Sequence, residues 1–187
     1  MSSGFSDRKA LHLSIRNKKE QAGFRLAPLT EEQARVICTW TYPPPYDLYN
    51  WKPWETLLAR GEEFADPDIR QKQYRSVLDE EGRLTGFAQL FPMAGVTRLG
   101  LGLRPDLRGS GLGTAFVRAI AEEALRQKPA NEIDLEVLTW NTRAIRTYEK
   151  AGFEITDTYE RMTPNGPAEF HCMVWTGKLP GGPASVS

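Results

Sequence analysis

The residues with the clearest chemical meaning are the closely spaced glycines of the segment Arg108-Gly109-Ser110-Gly111-Leu112-Gly113-Thr114. Glycine at alternate positions removes the side chains that would hold a ligand away from the backbone. A strand-like segment precedes this loop and a helical pattern follows it, so the positive end of a helix and its unpaired N–H groups point at the loop. Arg108 adds a fixed charge able to bind an anion bidentately. The combination predicts a diphosphate site, and a glycine-rich turn that binds nothing is the alternative.

Two other glycine loops share part of this pattern. A Walker loop ends in Gly-Lys-Ser/Thr, whereas Gly113 is followed directly by Thr114, so the loop lacks the lysine that contacts a triphosphate. A Rossmann loop needs G-x-G-x-x-G, and its third glycine would fall at Thr114. Asp134 or Glu136 lies about where the ribose-binding carboxylate belongs, so a dinucleotide enzyme stays open at this point.

Two longer segments carry a family resemblance. Leu103–Gly113 resembles motif A of the GNAT superfamily of N-acetyltransferases, whose core R-x-x-G-x-G is matched by Arg108, Gly111 and Gly113. Asn141–Phe153 is similar to a second family signature, N-x-x-A-x-x-x-Y-x-x-x-G-F. The two signatures in this order favour acetyl-CoA over a dinucleotide as the ligand of the loop, and the resemblance implies no metal.

The resemblance also implies how acetyl-CoA is held. Backbone N–H groups of the loop would bind the pyrophosphate, and the strand before it would pair with the pantetheine amides. The N–H of Leu103 is the group expected to polarise the thioester oxygen. Asn141 can cap the helix that follows it, contact pantetheine or do both. The residues expected to bind the cofactor are Leu101, Leu103, Arg108, Gly109, Ser110, Gly111, Leu112, Gly113, Thr114 and Asn141.

Acyl transfer to an amine needs an acid for the leaving thiolate and a base for the amine. Tyr148 matches the family tyrosine, and an ordinary pKa of about 10 keeps its hydroxyl protonated at neutral pH; a packing role is the alternative. The strand Val96–Leu103 lacks the glutamate that the family often carries there. Glu136 is the candidate base, because this stretch resembles ribosomal-protein N-terminal acetyltransferases, in which a glutamate at this place acts as base. A solvated or paired surface carboxylate is the alternative.

The segment Trp40–Trp54 combines six aromatic residues with four prolines. In the family, the first two helices and their connection usually wall the acceptor site, so a stiff aromatic loop could bind an apolar or cationic amine by stacking or cation–π contact. Packing of the helices onto the sheet is an equally good interpretation, and a proline-rich ligand for another protein is a third. The residues expected to contact the acceptor are Trp40, Tyr42, Tyr46, Asp47 and Tyr49.

Bulk properties narrow the function classes. The 24 Lys and Arg residues balance 24 Asp and Glu residues, which gives no electrostatic case for nucleic-acid or membrane-surface binding. Cys38 and Cys172 have no CxxC partner or activating neighbour, so a zinc site, a disulfide framework and a cysteine nucleophile are not indicated. The sequence has no long apolar run and no signal peptide, from which we expect a cytoplasmic protein.

The periodicity predicts the element order βααβββαβαββ, a mixed α/β fold with a mostly antiparallel, GNAT-like central sheet flanked by helices. Two helices are expected ahead of the main sheet, over 30–40 and 54–61, and a third from Gly111 to Gln127. We expect an N-terminal arm at 1–22, loose or helical, a single domain at 23–179 and a flexible tail at 180–187.

These expectations combine into a functional hypothesis. The chain is predicted to move an acetyl group from acetyl-CoA to a primary amine of a small molecule by direct attack. A peptide or protein N-terminal acetyltransferase is the alternative within the same class. A non-catalytic acyl-CoA sensor and a Rossmann-type dinucleotide enzyme are the alternatives from other classes.

Overall fold

The described strands form one sheet in the order β1-β2-β3-β4-β5-β7-β6. A computed structural model describes residues 23–163 and 166–177, so the expected arm at 1–22 and tail at 180–187 lie outside it, and the domain boundaries stay a prediction. Only the β4–β5 pair is parallel among these strands, which confirms the predicted mixed, mostly antiparallel sheet. The strands are β1 Arg25–Pro28, β2 Tyr74–Leu78, β3 Leu84–Met93, β4 Val96–Leu103, β5 Glu132–Leu138, β6 Phe153–Thr163 and β7 Gly166–Trp175.

The structure adds one helix to the predicted order. The helices are α1 Glu31–Ile37, α2 Trp54–Arg60, α3 Pro67–Gln73, α4 Gly113–Gln127 and α5 Thr142–Ala151. Helix α3 has no fully buried residue, so it leaves no apolar period in the sequence. Its start is set by Asp66, whose carboxylate accepts the backbone N–H groups of Asp68 and Ile69 at 2.7 and 3.0 Å.

The first helix begins where predicted but is shorter. Thr30 and Gln33 form a capping box, with hydrogen bonds of 3.2 and 3.1 Å between each side chain and the other's backbone N–H. The helix ends at Ile37, and the chain then turns toward the aromatic segment. Helix α4 likewise begins at Gly113, two residues later than expected, because Gly109 and Gly111 have positive φ angles that a helix cannot contain.

Two apolar layers enclose the sheet, one on each face. Phe116 of α4 and Ile145 of α5 pack with Leu135 in the first layer. Ile37 of α1 and Phe87 of β3 belong to the second layer, which also contains residues of α2. Successive strand residues point to opposite faces, so Asp134 and Glu136, which flank Leu135, face the side of α1 and α2.

Strands β4 and β5 separate at the end nearest the glycine loop. Their parallel pairing runs from Val96–Glu132 to Leu99–Leu135 and ends there. Beyond that point β4 continues beside β3, and β5 continues beside β7. The divergence leaves a gap between two strands in the middle of the sheet, and backbone polar groups on each rim are open to a ligand.

Candidate functional site

The backbone of β4 presents hydrogen-bonding groups to the gap at the two predicted positions. Arg104 N–H donates to the Thr85 carbonyl at 2.8 Å, so Arg104 and Thr85 are a hydrogen-bonded pair of the antiparallel β3–β4 ladder. Because such pairs alternate along an antiparallel ladder, Leu101 and Leu103 direct their N–H and C=O groups away from β3, toward the gap. Their side chains pack against the first apolar layer. The geometry is that of a strand edge ready to accept an extended amide chain.

The opposite rim of the gap is the backbone of β5. Thr139 N–H donates to the Glu169 carbonyl at 3.1 Å, so alternate β5 residues pair with β7. By the same alternation, Glu136 and Leu138 turn their backbone groups toward the gap. The Leu138 carbonyl accepts the N–H of Asn141 at 2.9 Å, which starts the turn into α5. The gap therefore ends between the glycine loop on one side and this turn on the other.

The glycine loop is shaped as an anion cradle. Gly109 and Gly111 have φ angles of 80° and 87°, in the left-handed region that favours glycine. Helix α4 begins at Gly113, and the N–H groups of its first turn, which includes Thr114, have no intrahelical acceptor. These features fit a diphosphate, which needs several N–H donors at a helix N-terminus.

Side chains of the loop hold its shape from within. The Ser110 hydroxyl donates to the Leu107 carbonyl at 2.6 Å, and Leu112 N–H donates to the Ser110 oxygen at 3.4 Å. Arg104 joins the loop's stem to the sheet, since it bonds the Leu84 carbonyl at 2.9 Å and Asp106 at 2.7 Å. The cradle is thus preformed by contacts of the protein itself.

Gly113 is also where α4 and α5 touch. A Cβ at this position would stand 3.0 Å from Cγ2 of Thr147. We expect Gly113→Ala to lower the free energy of unfolding by about 1 kcal/mol, because the added methyl overpacks this contact. Thermal unfolding of Gly113→Ala, Thr147→Ser and the double variant measures the effect. Serine removes Cγ2 yet keeps the hydroxyl bonded to the Arg143 carbonyl, so Thr147→Ser should restore stability in the Gly113→Ala background. Additive effects would contradict the contact.

Asn141 caps α5, as predicted. Its side-chain oxygen accepts the Ala144 N–H at 3.3 Å, and its amide nitrogen donates to the Tyr49 hydroxyl at 3.1 Å. Asn141 is only 7% exposed. Both ends of its amide are engaged, so its contact with pantetheine stays a prediction.

Tyr148 lies on α5 with its ring 6.2 Å from that of Phe153. It packs against the first apolar layer and is partly buried. Burial raises the pKa of the Tyr148 hydroxyl well above its ordinary value, and the nearby Tyr49 hydroxyl, if ionised, would raise it further. The Tyr148 hydroxyl is therefore protonated at any pH near neutrality, so packing does not conflict with the predicted acid role.

Glu136 is the centre of a polar cluster on the sheet face opposite α4. Its carboxylate accepts hydrogen bonds from Arg98, from the Tyr159 hydroxyl and, at 2.7 Å, from Arg161. Its side chain is 12% exposed, so a freely solvated surface carboxylate is excluded and a paired one is observed. Burial and the hydrogen bond to Glu136 raise the pKa of Tyr159 to about 12.

Arg98 ties this cluster to β4. Its Nη2 lies 2.6 Å from Asp134 and its Nε is 3.1 Å from the same carboxylate. The hydrogen bonds to Asp134 raise the pKa of Arg98, and the charge of Glu136 adds to this effect. Because Asp134 neutralises Arg98 independently, Glu136 is not the sole partner of that cation. Sequence reasoning missed Arg98, Tyr159 and Arg161, since no local motif marks them.

The aromatic segment reaches both rims of the gap. The Tyr42 hydroxyl donates to the Leu103 carbonyl at 2.9 Å, and burial raises the Tyr42 pKa to about 12. The Arg108 guanidinium lies 4.3 Å over the ring of Tyr46, whose centroid is 5.7 Å from that of Trp140. Trp140 was not predicted, although a tryptophan directly before the helix-capping asparagine was a usable signal. The segment thus closes over the loop end of the gap.

Three further residues were predicted to contact the acceptor: Trp40, Asp47 and Tyr49. Trp40 is 8% exposed and packs in the second apolar layer, 6.4 Å from the ring of Phe87, so the structure gives it a packing role. Asp47 is exposed, and its carbonyl accepts the Asn50 N–H at 3.0 Å. Tyr49 is 40% exposed. Contact of these residues with an acceptor stays a prediction.

The two thiols are not activated. Burial raises the pKa of the Cys38 thiol to about 11. Burial, and then the charge of Asp134, raise that of Cys172. Both favour the thiol over the nucleophilic thiolate. In the part of the chain that the structure describes, no cluster of His, Cys, Asp and Glu could hold a metal ion, and no helix is long and apolar enough to span a membrane.

Comparison with known proteins identifies the family of the chain. Residues 34–153, more than half of the 187-residue chain, match the acetyltransferase (GNAT) family. The chain belongs to this family. The resemblance of the loop and of the Asn141–Phe153 segment is thereby confirmed.

Curated relatives of this GNAT protein match it over a short segment. It is 45% identical over 62 residues to the kanamycin resistance protein of Rhizobium radiobacter, covering 33% of the chain and 56% of that protein. It is equally identical over 62 residues to aminoglycoside N(6′)-acetyltransferase type 1 of Klebsiella pneumoniae, covering 33% of the chain and 30% of that protein. The matched segment therefore spans less than two thirds of either relative.

Solved structures match more of the chain. Aminoglycoside acetyltransferase AAC(6′)-Ib in complex with coenzyme A is 27% identical, with a TM-score of 0.59 over 81% of this chain and 95% of that one. A spermidine N-acetyltransferase SpeG chimera from Vibrio cholerae and hSSAT reaches a TM-score of 0.66 over 81% and 94% of the two chains. Its identity of 16% shows a shared fold alone.

Proposed function

We propose that this GNAT protein is an N-acetyltransferase that moves an acetyl group from acetyl-CoA to a primary amine of a small molecule by direct attack. The observation that carries the proposal is the gap between β4 and β5, which ends at the glycine cradle. Tyr148 and Glu136 belong to the two elements that continue from this gap, α5 and β5. Family membership and the similarity to AAC(6′)-Ib in complex with coenzyme A support it.

The residues present fit acetyl-CoA. N–H groups between Arg108 and Thr114 bind the diphosphate, and the backbone groups of Leu101 pair with the pantetheine amides as an added strand would. Tyr42 already occupies the Leu103 carbonyl, which leaves the N–H of Leu103 to polarise the thioester oxygen. When bound, acetyl-CoA supplies an activated acyl group.

The side chains then move two protons. Glu136 takes a proton from the acceptor ammonium, directly or through a water molecule, and frees the nitrogen lone pair. The nitrogen forms a bond to the acyl carbon, the carbon–sulfur bond breaks, and Tyr148 donates its proton to the departing sulfur. The acylated nitrogen then gives its second proton to the Tyr148 phenolate, which restores the hydroxyl, and Glu136 releases its proton to solvent. The raised thiol pKa values of Cys38 and Cys172 support this direct route over an acyl-cysteine intermediate.

The acceptor is proposed to approach from the face that carries Glu136. The aromatic segment stands at this part of the sheet, where Trp140, which is 42% exposed and lies beside Tyr46, offers a ring face to an apolar or cationic amine. The aminoglycoside acetyltransferases among the relatives support a small polyamine-like acceptor over a peptide. We also propose a cytoplasmic location, where acetyl-CoA is available, and no nucleic-acid or membrane partner.

The Rossmann alternative is disfavoured by the sheet itself. A dinucleotide-binding loop follows the first strand of a parallel, doubly wound sheet. Here the loop follows β4, whose only parallel neighbour among the described strands is β5. The non-catalytic sensor keeps the same cradle, so activity measurements must separate it from the enzyme.

The test is thiol release from acetyl-CoA across a panel of aminoglycosides, polyamines and short peptides, with calorimetry of coenzyme A binding in parallel. Amine-dependent release with at least one small-molecule amine is expected. Turnover with peptides alone would favour the N-terminal acetyltransferase. Binding of coenzyme A without turnover on any amine would favour the sensor. Tight NAD(P)H binding without coenzyme A binding would overturn the proposal that the loop binds acetyl-CoA.

A further inference from the structure

We infer that Arg143 is a second phosphate-binding arginine of the coenzyme A site. It would make the site bind the phosphorylated acyl donor more tightly than uncharged thioesters. The inference rests on the proposed function, since it concerns the same cradle. Arg143 belongs to neither the R-x-x-G-x-G core nor the fixed positions of the second signature. Its place in the fold assigns it to the loop.

Helix α5 meets the glycine loop along one side. A Cβ on Gly109 would stand 3.5 Å from Nη2 of Arg143, and one on Gly113 would stand 3.0 Å from Thr147. Arg143 and Thr147 are four residues apart, so they share one face of α5. The guanidinium therefore lies beside the first glycine of the cradle, against its backbone.

The charges around Arg143 favour the binding of an anion. The residue lies in the first turn of α5, where the positive end of the helix disfavours a cation, and this turn contains no acidic residue. The N-terminus of α4 and Arg108 add positive potential nearby. Within residues 23–163 and 166–177, no carboxylate bonds to Arg143, whereas Arg104 and Arg126 each have one. A phosphate group would satisfy this accumulated charge.

Coenzyme A offers two kinds of phosphate to such a cation, the diphosphate and the 3′-phosphate. Arg108 belongs to the loop itself, and its guanidinium is stacked on Tyr46. The cradle therefore has two cations beside it, Arg143 from α5 and Arg108 from the loop. Both phosphate groups of coenzyme A can accept two parallel hydrogen bonds from the planar guanidinium of an arginine.

The test is calorimetric binding of coenzyme A and of 3′-dephospho-coenzyme A, without acceptor, to the full chain and to Arg143→Gln. Loss of one charge-assisted contact is expected to weaken coenzyme A binding about tenfold. A tenfold loss with both ligands assigns Arg143 to the diphosphate, and a loss confined to coenzyme A assigns it to the 3′-phosphate. Arg143→Lys should retain part of the affinity, because it keeps the charge but not the bidentate geometry.

Lys150→Gln is the matched control, because it removes the same charge from an exposed position two turns along α5. Lys150→Gln should leave both affinities nearly unchanged. Arg143→Gln should unfold at nearly the same temperature as the unaltered chain. Equal affinities for Arg143→Gln and the unaltered chain would overturn the inference. Failure of the unaltered chain to bind coenzyme A would instead overturn the proposed function, and binding without any amine turnover would leave the role of Arg143 intact.

Discussion

The Tyr148→Phe variant is expected to turn over about 10²-fold more slowly than the unaltered chain with a good amine acceptor, at nearly the same KM for acetyl-CoA. Phenylalanine keeps the ring that packs near Phe153 in the first apolar layer, so only the hydroxyl is lost. Without that hydroxyl, the leaving sulfur must depart as a thiolate or wait for a proton from water. Steady-state kinetics, with single-turnover measurements to show that chemistry limits the rate, provide the check.

The pH dependence sharpens this prediction. Burial raises the pKa of Tyr148 above its ordinary value of about 10, so the acid stays protonated throughout the range in which the enzyme is assayed. The unaltered chain should accordingly show no alkaline loss of kcat from Tyr148 up to about pH 10. Tyr46→Phe is the control, because it removes a phenol from the aromatic segment and keeps the ring that stacks on Arg108. Equal kcat values for Tyr148→Phe and the unaltered chain would remove Tyr148 from the mechanism.

Features encoded by neighbouring residues were predictable from the sequence. The loop from Arg108 to Thr114 and the cap at Asn141 depend on contacts within a few positions, and both are where the pattern places them. Helix α3 was missed although Asp66 and Pro67 mark its start locally, because its residues form no apolar stripe. The open edges at Leu101 and Leu103 followed only from family resemblance, and the register of β3 with β4 gives them a physical basis.

Contacts between distant segments were not predictable. The partners of Glu136 lie 38, 23 and 25 residues away, on β4 and β6, and no local pattern reports which strands become neighbours. The stacking of Arg108 on Tyr46, and of Tyr46 beside Trp140, likewise joins three separate loops. The sequence suggested an aromatic wall or a packing element. Trp40 packs in the second apolar layer, whereas Tyr42 reaches the Leu103 carbonyl at the gap, and its contact with an acceptor stays a prediction.

The missing carboxylate of β4 has a structural explanation. On the face that carries Glu136, β4 presents Arg98, Gly100 and Gly102, and Phe87 fills the space over Gly102, where a Cβ would stand 2.4 Å from its ring. A glutamate side chain at position 102 would therefore collide with the second apolar layer. The carboxylate of this face is instead supplied from β5, across the gap. Arg98 joins the two strands below the gap and holds that carboxylate in place.

Glu136→Gln is accordingly expected to lower kcat/KM for the amine by about 10²- to 10³-fold near neutral pH. An amine with a pKa of about 10 is almost fully protonated there, so loss of the base leaves the nitrogen without a usable lone pair. The deficit should shrink as the pH approaches the amine's own pKa, where the free amine no longer needs a base. Profiles of kcat/KM against pH for both proteins measure this convergence.

A purely structural role for Glu136 predicts a different result. Glutamine retains the size of the side chain and an oxygen that can accept from Tyr159 or Arg161, and Arg98 keeps its contact with Asp134, so the variant should fold. If the carboxylate only held its neighbours together, the variant would show a lower melting temperature and a rate deficit that does not vary with pH. Glu160→Gln removes the same charge from an exposed position on β6 and should change neither quantity. A pH-independent deficit in Glu136→Gln would therefore assign the carboxylate to the scaffold, and convergence at high pH assigns it to the proton.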